Sequence, residues 1–143
     1  MSRVSLLVAA TLVTGLLAPP FVRSVVAQTA ETPKPPAGVQ QEFDAFFDRF
    51  RTALKSNDAA AVATMTKMPF FHEDAMIDAA QFQSKAYPVY FTKKARSCLR
   101  SGEAVYDRDG ENNDNYFVFC GDSIFVFTRT PAGFLFSEVS AND

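Results

Sequence analysis

The sequence predicts an α+β domain in which helices come first and an antiparallel sheet follows. Two observations carry the prediction. Between Val39 and Leu54 apolar residues recur with a helical period, and from Ala104 to Val139 the period falls to two. A third observation orients the strands: Gly121-Asp122, set between two apolar runs, suits a two-residue hairpin turn.

The elements follow in order. Residues 1–27 read as an export signal. Arg3 supplies the positive start, Val4 to Ala18 is apolar apart from small Ser, Thr and Gly, and Val25-Val26-Ala27 precedes a cut before Gln28. The stretch is short for a bilayer span, which needs about 20 residues. No stable membrane insertion is expected once the signal is removed. Residues 28–38, QTAETPKPPAG, carry three prolines and no large apolar residue, and read as a flexible tether. Residues 39–143 make a single domain.

In the first helix Val39, Phe43, Phe46, Phe47, Phe50 and Leu54 fall on one face within about 100° of one another. Asp58 is placed to cap a second helix over Ala59 to Lys67, and Pro69 stops it. Phe70-Phe71-His72 reads as a short strand. Asp78 with Gln81 makes a capping box for a helix near Ala79 to Ala86, which ends before Pro88. Thr92 caps a further helix, and Gly102 stands where a left-handed terminal residue is wanted. Strands are expected at Ala104 to Arg108, Tyr116 to Cys120, Ile124 to Arg129 and Phe134 to Val139. Asp109-Gly110, Gly121-Asp122 and Thr130 to Gly133 provide the turns.

The hairpin at Gly121-Asp122 pairs Cys120 with Ser123 and Val118 with Phe125. Tyr116, Val118, Cys120, Phe125 and Phe127 then share one face, and Phe117, Phe119, Ile124 and Val126 the other. A sheet with one wet face should alternate apolar with polar residues. Both faces here are apolar, so the second must be covered by more chain, a ligand, a membrane or a second copy. A homodimer through Phe117, Phe119, Ile124 and Val126 is the expectation, and a sheet curled over its own segments is the alternative. Cys98 and Cys120 are the only cysteines. In an exported chain they read as one disulfide, which sets the Cys120 face against the helices. The location expected is periplasmic or secreted.

The segment FFDRFRTALKSNDAAAVATMTKMPF, Phe46 to Phe70, followed by a short helix and a meander, resembles the NTF2-like superfamily. The resemblance covers most of Val39 to Val139 and rests on core spacing. It implies a cone-shaped α+β fold with a pocket at the open end and frequent sheet-to-sheet dimers. That superfamily holds isomerases, dehydratases, ligand carriers and proteins without activity, so fold does not fix function. The isomerases' catalytic Asp and Tyr find no matching positions, and no catalytic residue is carried over.

The net charge is −2, and removing the signal takes away Arg3 and Arg23 but no acid. No basic footprint for nucleic acid remains. His72 is the single histidine, and His72-Glu73-Asp74-Ala75 lacks the second histidine of a zinc motif. No metal site or cofactor is expected. Asp107 to Asp114 departs from a calcium loop because Gly110 comes too early; it reads as a polar turn. Lys93, Lys94, Arg96 and Arg100 crowd one short helix and fit either an anionic partner or a plain solvated face.

Two ligand readings remain. A small apolar ligand would lie in the cone among phenylalanines such as Phe125, Phe127 and Phe136, with Tyr87, Tyr90 or Tyr106 at the mouth. The alternative is an acid–base enzyme of the ketosteroid-isomerase or dehydratase type using Glu138 or His72. With a four-residue last loop Glu138 shares the face of Phe125 and Phe127; a bulge turns it to the other face.

Overall fold

In a computed structural model, which describes residues 32–143, the chain enters helix α1 (Ala37–Lys55) directly from Pro36. The export signal and the cut after Ala27 lie outside the described residues. The expected tether therefore gives way to helix two residues early, at Ala37. Pro36 has no N–H to lose and its carbonyl accepts from Gln40 N at 3.0 Å, so proline is at home ahead of a first turn. The anticipated stripe of α1 is buried in full, from Val39 to Leu54.

Helix α2 (Ala59–Thr64) is capped by Asp58, which accepts from Ala61 N. It stops short of the expected Lys67 because the backbone finds another partner. Lys67 N donates to Phe136 O at 2.7 Å, and Phe136 N donates to Met65 O at 2.8 Å. Strands β1 (Phe70–His72) and β2 (Ala75–Ile77) form a two-stranded hairpin, with Phe71 opposite Met76. Its turn residues Glu73 and Asp74 both take positive φ, 46° and 63°.

Asp78 and Gln81 form the expected capping box at α3 (Ala79–Gln81). The helical run does not end before Pro88. It passes through a π turn (Phe82–Ala86) into α4 (Tyr87–Tyr90). Pro88 cannot donate, and its ring crowds the carbonyl four residues back. The wider π turn, closed by Tyr87 N on Phe82 O, changes the ladder just before the proline.

Thr92 caps α5 (Lys93–Ser101) as expected. Gly102, however, is extended (φ −71°, ψ 150°), not left-handed. Glycine is required there by space: a Cβ would sit 2.8 Å from the Cys98 carbonyl oxygen and 3.1 Å from Val118 Cγ1. Arg51 of α1 fastens this end of α5. Its guanidinium donates to Leu99 O and Gly102 O, and lies 4.2 Å from the centre of the Phe47 ring.

Strands β3 (Val105–Arg108), β4 (Asp114–Cys120), β5 (Ser123–Thr130) and β6 (Gly133–Ala141) form an antiparallel meander in that order. Cys120 pairs with Ser123 and Val118 with Phe125, the register anticipated from Gly121-Asp122. Tyr116, Val118, Phe125 and Phe127 are buried, as are Phe134 and Phe136 of β6. Phe43 stacks on Tyr116 with ring centres 3.6 Å apart, joining α1 to the sheet. The class is α+β: an aromatic core between helices and one face of a meander. The Cys98–Cys120 disulfide is formed and ties α5 to the end of β4.

Candidate functional site

The last hairpin decides where Glu138 lies. Thr130 pairs with Gly133, so only Pro131 and Ala132 make the turn, and Phe136 faces Phe127 across the strands. An extra residue then enters β6, and Val126, not an inward residue, stands opposite Glu138. Side-chain alternation is reset by one position. Glu138 is exposed on the outer face, while Val139 opposite Phe125 packs against the core. Glu138 therefore does not share the face of Phe125 and Phe127.

The tyrosines are dispersed. Tyr87 is buried, and its hydroxyl donates to Asn57 Oδ1 at 3.1 Å. Tyr106 is buried elsewhere, and its hydroxyl donates to Asp114 Oδ1 at 2.7 Å. Phe127 and Phe136 have no exposed surface; their rings pack on each other and on Phe50. These side chains fill the space between α1 and the sheet.

Tyr90 and His72 do meet. His72 Nδ1 lies 3.1 Å from the Tyr90 hydroxyl, and His72 Nε2 lies 3.9 Å from the exposed Glu73 carboxylate. Burial raises the Tyr90 phenol above its ordinary value, and the Glu73 charge adds to that. Tyr90 separates two concavities. One, of about 460 Å³, is lined by Phe71, Glu73, Asp74, Ser137, Glu138 and Val139. The other, of about 320 Å³, lies beside the disulfide and includes Phe125. Of the residues anticipated from sequence, the structure thus brings Tyr90 beside His72, Glu138 and Phe125, and places Tyr87, Tyr106, Phe127 and Phe136 apart from both concavities.

An ion network missed by sequence reasoning, with only Asp114 buried and its arginines half-exposed, closes the far end of the sheet. Asp114, buried at the start of β4, accepts from Arg108 Nε at 2.9 Å and lies 3.5 Å from Arg129 Nη1; Arg129 also pairs with Glu42 of α1 at 2.7 Å. Burial pushes the Asp114 carboxyl up, but hydrogen bonds from Tyr106 and Arg108 and the two arginine charges outweigh it. Its pKa is held below the ordinary carboxylate value. Asp109, in the adjoining loop, accepts from Asn113, Asn115 and the Glu111 amide, and its pKa falls to about 2. These contacts consume the carboxylates within the fold. A folded pKa below the unfolded one adds stability above the unfolded pKa, near 3.9, and loses it as pH falls through the folded value. Asp114→Asn is therefore expected to cost about 1–3 kcal/mol at neutral pH. In urea titrations the difference from wild type should shrink steadily below about pH 4. A cost that stays constant down to pH 2 would show that the charge contributes nothing.

The outer face of the sheet carries the residues expected there. Val105 pairs with Phe117, Phe117 with Val126, and Phe119 with Ile124. Phe119 keeps 50% of its surface exposed and Val105 39%, while Phe117, Ile124 and Val126 are half-buried. The helices pack on the opposite face, whose residues form the core. No helix among the described residues is long and apolar enough to cross a membrane. No protein-family model matches this chain, and no curated protein or solved structure is significantly similar to it.

Proposed function

We propose that this chain is an exported, non-catalytic binding domain of the NTF2-like kind, which pairs with a second copy of itself through the outer face of its sheet. One observation carries the reading. Val105, Phe117, Phe119, Ile124 and Val126 form a continuous apolar patch on the face opposite the helices. Contiguous apolar patches of this kind mark interaction sites. A twofold contact buries the same patch on both copies, which suits a surface apolar across its centre with Glu138 and Ser140 along its β6 side. Export is supported by the signal-like start and by a disulfide, which persists in oxidising compartments. The order of helices before a meander supports the NTF2-like assignment.

Light scattering on protein purified from an exporting host tests the proposal. The wild type is expected as a dimer at micromolar concentration. Phe119→Asp, at a half-exposed position, is expected to give a folded monomer. A wild type that stays monomeric at the highest soluble concentration would overturn it.

A further inference from the structure

The cavity beside the disulfide is not used by a sheet-to-sheet contact. At about 320 Å³ it falls within the size range of small-molecule sites. Its lining is mixed: Val89, Tyr90, Ala95 and the Cys98–Cys120 bridge give it an apolar side, and Thr92, Lys94, Asp122 and Ser123 a polar one. Phe125 is fully buried, so the floor belongs to the core. Val89 is 55% exposed, an apolar side chain left in water at the rim that a ligand would cover. The Tyr90 wall is fixed from behind by His72.

Lys94 supplies a charge at this cavity. Among the described residues no carboxylate lies within ion-pair distance of it. Lys93 precedes it, and the first turn of α5 contains no acid. Two lysines there oppose the helix dipole without an ion pair to offset it. Asp122, on the β4–β5 turn, also lines the cavity but does not pair with Lys94.

We propose that this cavity binds a small amphipathic carboxylate, its apolar body against Val89, Tyr90 and the disulfide and its carboxylate on Lys94. The site is distinct from the outer sheet face, so each can fail without the other.

Decanoate, kept below its micellar concentration, is the probe, added to the oxidised full chain and followed by amide NMR shifts. Saturable shifts are expected at residues 89–95 and 120–125. Lys94→Gln should weaken decanoate binding roughly tenfold, the worth of a charged hydrogen bond, and leave 1-decanol binding unchanged. Val89→Asp, at an exposed position that folding tolerates, should abolish decanoate binding by removing wall area and repelling the carboxylate. Phe119→Asp should leave binding intact. Absence of saturable shifts, or shifts confined to Val105, Phe117 and Phe119, would overturn the proposal. So would tighter binding of decylamine than decanoate, which would give the head-group to Asp122.

Discussion

Phe50→Ala is expected to lower the unfolding free energy by about 3–5 kcal/mol, the range for emptying a fully buried aromatic site. Phe50 has no exposed surface and sits in the C-terminal half of α1. Its ring meets five others: Phe46 and Phe47 on its own helix, Phe91 after α4, Phe127 on β5 and Phe136 on β6. The contact with Phe127 is edge-on, with ring centres 5.1 Å apart and planes at 84°. Such geometry adds about 0.5–1.5 kcal/mol beyond area burial. Collapse around the gap is hindered because the surrounding rings already pack on one another, as Phe127 does on Phe47 and Phe136 on Phe91. Domains of this size have about 5–15 kcal/mol in total, so the variant sits near the edge of folding. At about 4 °C per kcal/mol, the melting point should fall by roughly 12–20 °C. Phe71→Ala is the control. Phe71 is 59% exposed on the β1–β2 hairpin, and its loss should stay within about 0.5 kcal/mol. Equal costs at the two positions, by urea titration, would show that the core does not centre on α1.

That core was legible because its signal is periodic. The spacing of Val39, Phe43, Phe46, Phe47, Phe50 and Leu54 admits one face, and Cys120, Gly121, Asp122 and Ser123 admit one hairpin register. Asp58, Asp78 and Thr92 announce their helices through short polar side chains that satisfy free amides. What stayed hidden depends on contacts between distant segments. Lys67 leaves the helical ladder for Phe136 O, and no local residue reports that exchange. Strand β2 is three residues long and follows a turn in which Glu73 and Asp74, not glycines, hold positive φ. Pro88 reads as a stop because the π turn that admits it has no sequence signature. Asp114 looked like the tail of a polar loop, and only the fold brings Arg129 from the β5 end beside it. The disulfide cavity was half legible. Tyr90, Phe125 and Lys94 are each visible in the sequence, but their meeting follows only when Cys98 is placed on Cys120.

The same bond carries the second large effect. Replacing both Cys98 and Cys120 with serine is expected to cost about 3 kcal/mol in the chain-entropy description, for a loop spanning 22 positions. The argument concerns the unfolded chain first. Without the bridge, α5 and the end of β4 separate freely on unfolding, so the unfolded state gains conformations and exposes more surface. The slope of the urea transition should therefore rise while its midpoint falls. The folded side contributes less, because α5 has other anchors: Leu99 is fully buried, and Arg51 holds its last turn through Leu99 O and Gly102 O. The fold should survive with α5 in place, at reduced stability. Native, unreduced protein should show no free thiol to a labelling reagent, and reductant should move wild type towards the double variant. A double variant within about 0.5 kcal/mol of wild type would remove the bridge from the account of stability. Loss of the α5 resonances in an otherwise folded double variant would instead make the disulfide the anchor of that helix, and would place the Lys94 rim of the cavity under redox control.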